Sequence, residues 1–339
     1  MDYNQLIREL RAIDIAKLNI SDYSKGALQR VVNSDTYYFE IYHRCLESIN
    51  ARCNKEISEM AVVDYGGGHG LFSILAKTYG YGNVIYIDNN PDAINTVNAL
   101  SKKIGVFPDH ILEGDSDQFV EWAKCNHTIP DALIAIDVIE HIYSLPAFFK
   151  DMNRLSPNIT MIFTTASSPY NPFVAKRLHR IMLQDELSGE NSFFAQRRRY
   201  IEDNHPDLTK EELSDWAKST RGMTFDDVEL AIEQNTIPTP TDRYNTCDPQ
   251  TGSWTERILS IEAYQDIVEQ DSRNIQVAPG MFNQYKKGIK GTLCHIANKL
   301  FRLADHSKLQ FQDKPDGWQR IGLVVAPFIY LISSPRTRI

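Results

Sequence analysis

Long apolar runs are scarce in this 339-residue chain. The longest, Ile321 to Ile332, is too short to span a bilayer as a helix, which takes about 20 apolar residues. Cysteine is sparse as well. Cys45, Cys53, Cys125, Cys247 and Cys294 are odd in number, scattered and never spaced as CxxC, so neither a zinc knuckle nor a disulfide framework is expected. The start, MDYNQLIREL, places charges where a secretory signal needs an unbroken apolar core. Together these absences lead to the expectation of a soluble, cytoplasmic protein with no transmembrane segment. Positive charge is also in deficit: 36 Lys and Arg stand against 44 Asp and Glu, for a net charge of −8. That balance argues against a surface tracking nucleic acid along its whole length and confines polyanion contact to local basic patches. There is no internal repeat and no low-complexity tract.

With 42% hydrophobic residues the chain can bury an ordinary core, as one large domain or one domain with a sizeable insertion. Apolar residues recur at helical spacing up to about Met60, as in Leu6, Leu10, Ile13 and then Tyr38, Ile41, Tyr42, Cys45, Leu46, Ile49. Residues 1–59 are therefore expected to form an N-terminal helical segment. Over residues 60–172 β-branched runs alternate with amphipathic stretches. Strands are expected at Ala61–Asp64, Val84–Asp88, Ile111–Leu112, Ala132–Asp137 and Thr160–Thr164, with helices over Leu71–Tyr79, Pro91–Ile104 and Leu145–Leu155. This alternation predicts an α/β fold with a parallel sheet covered on both faces. Residues 173–258 turn to charged helical sequence and read as an insertion after the fifth strand. They include the turn-rich stretch from Thr236 through Pro240 to Gly252. Residues 259–339 return to strand-like sequence at Asn274–Ala278 and Leu323–Ile332, separated by a basic amphipathic helix from about Gln284 through Lys287 to Leu303. They are expected to complete the sheet.

The segment Val62-Val63-Asp64-Tyr65-Gly66-Gly67-Gly68-His69-Gly70 runs from a buried strand into a glycine turn and then a helix. Glycine there lets the backbone approach a ligand, and the helix start offers unpaired N–H groups. The dinucleotide fingerprint G-x-G-x-x-G does not fit, because the third glycine comes one residue early and Leu71 stands where glycine or alanine belongs, so NAD ranks second as cofactor. Asp88 ends the next strand, where a carboxylate can accept hydrogen bonds from both ribose hydroxyls, with Asn89 beside it. Gly114-Asp115-Ser116 follows the third strand, and Asp137-Val138-Ile139-Glu140-His141 follows the fourth.

In this order the four segments resemble the motifs of class I S-adenosylmethionine-dependent methyltransferases, over about residues 60–170. The resemblance implies a Rossmann-like fold with a mostly parallel seven-stranded sheet, and S-adenosylmethionine as cofactor. It further implies that Asp64 meets the amino end of the methionine moiety while Gly66, Gly68 and Gly70 pack along the cofactor. Asp88 and Asn89 fall at the ribose, Asp115 and Ser116 at the adenine, and Asp137 at the reactive end.

A sulfonium methyl is already electrophilic, so the protein has chiefly to align an acceptor and exclude water. A hydroxyl acceptor gains from a general base, and histidine suits neutral pH. Glu140 and His141 are therefore the candidate catalytic residues. The competing reading is that this pair caps a helix or fixes the post-strand loop, the commoner use of buried polar groups. The stretch Thr164 to Pro172 resembles the Ser-Thr-Pro-Asn segment of many small-molecule methyltransferases, and DNA is not an expected partner. The expected function is methylation, at oxygen, of a small-molecule or saccharide-type acceptor.

Two alternatives stand beside it. One is a metal-dependent enzyme resembling the small-RNA 3′-end 2′-O-methyltransferases, in which Asp137, Glu140, His141 and either His179 or His205 would hold a divalent ion. The other is a module that binds S-adenosylmethionine without turnover. No metal is assigned. In the insertion, Lys176, Arg177, His179, Arg180 and Arg197-Arg198-Arg199 could clamp an acidic acceptor, although a solvated helical face is the simpler reading. Arg243, Asn245, Cys247, Asp248, Trp254 and Arg257 form a second cluster that could hold a sugar ring or a loop. The basic helix and the apolar run after it could touch an anionic membrane, but a buried closing strand is preferred. Neither the acceptor nor the oligomeric state is legible in the sequence.

Overall fold

Consecutive residues of a strand point to opposite faces, so strands that read as unbroken apolar runs are buried on both. The computed structural model, which describes residues 2–239, 242–286, 288–304, 311–313, 315 and 317–336, has this arrangement. Helices α1 (Tyr3–Ala12), α2 (Asp22–Asn33) and α3 (Tyr37–Asn50) come first. Then follow β1 (Ala61–Tyr65), α4 (Leu71–Tyr79), β2 (Asn83–Asp88), α5 (Pro91–Ile104), β3 (His110–Glu113), α6 (Ser116–Cys125), β4 (Ala132–Ile136), α7 (Leu145–Leu155) and β5 (Thr160–Thr165). Four helices intervene: α8 (Pro172–Leu187), α9 (Phe193–Asn204), α10 (Lys210–Ser219) and α11 (Phe225–Glu233). The chain then runs through α12 (Ile261–Glu269), β6 (Arg273–Pro279), α13 (Ile289–Ala304), α14 (Gly317–Val325) and β7 (Ile329–Pro335).

The strands form one sheet in the order β3-β2-β1-β4-β5-β7-β6. Neighbours from β3 to β5 are parallel, and β7 runs antiparallel to both β5 and β6. The pleat sorts the core residue by residue. Val62, Val84, Ile134, Ile162 and Ile332 face a layer built with α1, α3 and α4. Val63, Ile85, Leu133, Met161 and Leu331 face the layer of α6, α7 and α12. Truncating any of the isoleucine, leucine or methionine side chains among these to alanine costs about 2–5 kcal/mol.

The expected closing strand Leu323–Ile332 is corrected by the structure. Its first part is the end of α14, and the strand starts only at Ile329. Pro327 separates the two, since it lacks the N–H that a continuing helix or central strand needs. The basic helix starts at Ile289 rather than Gln284, after Gly288 at φ 73°. Lys287 in that stretch and Pro240 in the turn-rich stretch lie outside the described residues. Helix α6 was not anticipated, although its capping box was written in the sequence. The Asp115 carboxylate takes first-turn N–H groups, and the Asp115 N–H donates to Gln118 Oε1 at 2.9 Å.

Helices α9, α10 and α11 share a small core of their own, centred on Ile201, Leu213, Trp216 and Val228. Beside it lies a fully buried ion pair, Arg197 Nη2 to Glu186 Oε1 at 2.6 Å. Arg197 also donates to the Ala217 carbonyl, while Thr246 donates to the other oxygen of Glu186. The reading of Arg197 as part of an acceptor clamp or a solvated face is thereby overturned. Its charge is consumed in holding three parts of the insertion together.

Candidate active site

The sheet order reverses between β1 and β4, and open α/β sheets bind ligands outside the carboxyl ends of the strands at such a point. Asp64 to Gly70 leaves β1 there, and Asp137 to His141 leaves β4. The three alternating glycines have distinct geometries. Gly66 and Gly70 adopt φ of 65° and 75°, and a Cβ would come within 2.7 Å of Val138 or 2.3 Å of Val97. Their small size is demanded by protein packing. Gly68, at φ 53°, would point a Cβ into open space with nothing within 4 Å. Its peptide groups are held at both ends: the N–H donates to Asp88 Oδ2 at 2.9 Å, and the carbonyl accepts from the Tyr86 hydroxyl at 2.6 Å. Tyr86 was not singled out in the sequence, where it reads only as a strand residue.

Asp64 is buried, and both the N–H and the hydroxyl of Ser73 donate to its Oδ2, at 3.1 and 2.6 Å. Burial pushes its carboxyl up to about 7 against the pull of those bonds. Asp88 accepts the Asn90 N–H on Oδ1, and its carboxyl too is raised by burial. Asn89 is exposed next to it. Asp115 and Ser116 stand at the start of α6, with Asp115 serving as its cap. His69, in the loop, accepts the Leu71 N–H, and burial together with Arg30 pushes its ring down to about 4.

At the end of β4, Asp137 sits in the left-handed region at φ 54°, a strained position for a residue with a Cβ. Its N–H donates to the Thr164 carbonyl at 3.0 Å. The residue keeps exposed surface although its surroundings desolvate the carboxyl. Burial, with Glu256 adding its charge, pushes Asp137 up to about 6. Glu140 is 2% exposed, and its Oε2 has no hydrogen-bond partner. Burial first, then the charge of Asp137, pushes the Glu140 carboxyl well above the ordinary carboxyl range. The Ser167 hydroxyl donates to Glu256. Glu256 was missed in the sequence, although it lies between Trp254 and Arg257, which were not.

His141 Nδ1 lies 2.8 Å from the Trp254 carbonyl, the Trp254 N–H donates to the His141 carbonyl, and the Arg257 N–H donates to that of Glu140. The expected loop-fixing role is thus present. It also fixes the ring, because a donating Nδ1 leaves Nε2 as the acceptor. Beside it Trp254 stacks on Tyr143 and carries the Arg257 guanidinium at 4.7 Å. The rest of that cluster serves the loop: Asn245 Oδ1 accepts the Ile258 N–H, and Asp248 accepts that of Gln250. From the opposite side α3 brings Tyr38 near Asp137 and Tyr42 near Asp64, with both hydroxyls made less acidic by burial and those carboxylates.

His179 and His205 are not brought to this group. His179 stacks on Tyr244 at 3.8 Å, and His205 pairs with Glu229 at 3.0 Å. Among the described residues no cluster of His, Cys, Asp or Glu could hold a metal ion. The metal-dependent alternative therefore lacks its ligand set.

The sheet, with its single antiparallel strand between β5 and β6, is the Rossmann-like architecture of class I methyltransferases. The model of a family described as "Methyltransferase domain" matches residues 35–217, just over half of the chain. The chain belongs to this family of S-adenosylmethionine-dependent enzymes. Ubiquinone biosynthesis O-methyltransferase of Rickettsia akari (strain Hartford) is 29% identical over 125 residues, 35% of this chain and 45% of the relative. The chain thus spans less than half the length of that curated relative. Among solved structures, a SAM dependent methyltransferase from Archaeoglobus fulgidus is 11% identical, with 87% of this chain and 93% of that one covered at a TM-score of 0.37. One from Agrobacterium tumefaciens is 12% identical, with 38% and 44% covered at a TM-score of 0.30.

The residues present fit S-adenosylmethionine. Asp64 is a buried carboxylate that makes no ion pair among the described residues, as a site for an ammonium group requires. Gly68 opens the one face of the loop that a side chain would fill. No helix among the described residues is long and apolar enough to cross a membrane.

Proposed function

We propose that this chain transfers the methyl group of S-adenosylmethionine to a hydroxyl of a small-molecule or saccharide-type acceptor. The observation that carries the reading is the orientation of His141, whose Nδ1 is bound to the Trp254 carbonyl so that Nε2 is left to accept a proton. When bound, the cofactor supplies an electrophilic methyl on a sulfonium. Asp64 pairs with its ammonium group, Asp88 and Asn89 accept or position the ribose hydroxyls, and Asp115 and Ser116 stand at the adenine. Asp137 lines the reactive end. Glu140, whose carboxyl is raised by burial and by Asp137, stays within reach of the Thr165 hydroxyl. The helical insertion of residues 173–258 supplies the acceptor wall through Trp254 and Glu256, with Tyr143, from the loop after β4, stacked on Trp254. The O-methyltransferase named among the relatives supports oxygen as the acceptor atom. A cytoplasmic location belongs to the same reading, supported by the free state of all five cysteines.

The test is release of S-adenosylhomocysteine by the full chain with a panel of phenols, sugar alcohols, amines and carboxylic acids. Turnover should be confined to hydroxyl acceptors, and His141→Gln should lower kcat by about a hundredfold with cofactor affinity unchanged. Methylation confined to nitrogen, or undiminished turnover in the variant, refutes the reading.

A further inference from the structure

A helix on the surface of a globular domain turns its apolar stripe inward. Helix α13 does the reverse. Asn298 is 6% exposed and faces the body of the protein, where its amide accepts the Phe282 N–H and donates to the Phe282 carbonyl, both at 2.9 Å. On the far side Ile289, Leu293 and Ile296 follow one another at i, i+4 and i+7, with exposures of 80%, 60% and 49%. Lys290 and Lys299, both exposed, flank this stripe on opposite sides, each about a quarter-turn away on a 3.6-residue helix. Helix α14 packs beside α13 and, although Leu323 is buried, leaves Ile321 and Val324 exposed.

The two helices carry charge of one sign. Helix α13 contains Lys290, Lys299 and Arg302 and no Asp or Glu, in a chain whose net charge is −8. Helix α14 carries Arg320 and no acid. The surface also continues toward the acceptor side of the site. Asn171 Nδ2 donates to the Val325 and Ala326 carbonyls at 3.2 and 2.9 Å, and two residues further on Phe173 is 85% exposed. Ser167, four residues before Asn171, holds Glu256 at the reactive end.

We propose that α13 and α14 form a lipid-docking face that lays Ile289, Leu293, Ile296, Ile321 and Val324 into an anionic bilayer surface. The lysines beside the stripe stay at headgroup level, as long basic side chains do at an interface. A protein partner would have to be acidic and apolar together, whereas an anionic leaflet offers both properties over an area that matches a flat two-helix face. Docking there brings the Ser167–Phe173 segment to the membrane plane and opens the acceptor side of the site toward amphiphilic molecules.

The experiment is co-sedimentation of the full chain with vesicles of phosphatidylglycerol and phosphatidylcholine, and with vesicles of phosphatidylcholine alone, at low and high salt. Binding should require the anionic lipid and weaken with salt. Lys290→Gln and Lys299→Gln should each lower affinity about fivefold. The Leu293→Asp, Val324→Asp double variant should abolish binding while circular dichroism and cofactor affinity stay those of the parent. Absence of binding to anionic vesicles overturns the proposal, as does binding that the double variant retains. A stable dimer in solution that Leu293→Asp dissociates overturns it in favour of a second copy of this chain. None of these outcomes depends on methyl transfer, so failure here leaves the proposed activity standing.

Discussion

The ring of His141, which leaves the fourth strand, is held at 2.8 Å by the main-chain oxygen of Trp254, which returns from the helical insertion 113 positions later. The insertion therefore sets the orientation of the candidate base. Trp254 is itself placed by its Nε1–H, which donates to the Tyr143 carbonyl at 3.1 Å, and by stacking between Tyr143 and Arg257.

Trp254→Ala should accordingly lower kcat by tenfold to a hundredfold, on the order expected when a catalytic group is misplaced by about an ångström. Cofactor affinity, measured by calorimetry, should not change, since Trp254 lies on the acceptor side. A parallel loss of cofactor affinity would place Trp254 elsewhere in the mechanism.

The glycines of the loop should separate into two behaviours. Gly70→Ala drives a Cβ to 2.3 Å from Val97 at φ 75° and should destabilise the fold by about 3 kcal/mol in chemical denaturation. Gly68→Ala meets nothing in the protein and should cost only about 1 kcal/mol for its left-handed backbone. Its cofactor affinity should nonetheless fall by about tenfold or more, because the added methyl enters the space a ligand needs.

Asp64 gives the pH dependence its sign. Its folded carboxyl is raised from 3.8 to about 7 by burial. A raised acid favours the folded state below its ordinary value and loses that contribution as pH climbs toward the folded value. The ligand-free chain should thus lose a few kcal/mol at most from this group as pH rises from about 4 to about 7. Cofactor binding should run the other way, since only the ionised carboxylate pairs with an ammonium group. Affinity should rise about tenfold between about pH 6 and about pH 8. Asp64→Asn should be weaker and flat across that range in the same titration.

The buried pair of Arg197 and Glu186 makes a fourth prediction. Glu186→Ala leaves the Arg197 charge buried without its carboxylate and should cost about 3–5 kcal/mol, whereas Arg197→Ala leaves Glu186 its bond from Arg221 Nε at 3.3 Å and should cost less. The double change to Met and Leu should cost less than Glu186→Ala, since it removes the buried Arg197 charge together with its carboxylate. Denaturant unfolding of the three variants checks this, and equal losses in all three would refute it.

Much of this architecture was legible residue by residue. The bounds of α4, α5 and α7 followed from apolar periodicity with glycine and proline at the ends, signals that act locally. The glycine loop and the acids after β2 and β4 were legible for the same reason, because a ligand site at strand ends draws on contiguous segments. Helix α6 was written in its capping box and overlooked. Other features had no local signature. Whether Ile321 to Ile332 formed one strand or a helix followed by a strand depended on how its ends packed. An apolar run of that length suits either state.

The sequence by itself determined the order of the first five strands with α4, α5 and α7, the glycine and acidic segments at the strand ends, and the class of cofactor they accommodate. Each of these follows from short-range geometry: the pleat of a strand, the pitch of a helix, the backbone freedom of glycine. Only the tertiary structure decided which charged residues face the site. Arg197 turned inward to Glu186, Glu256 came beside Asp137 and Glu140, and Asn298 took the inner side of α13 while leucine and isoleucine took the outer. Burial and Coulomb interaction act between residues far apart in the chain, and no spacing rule encodes which partner a side chain will meet.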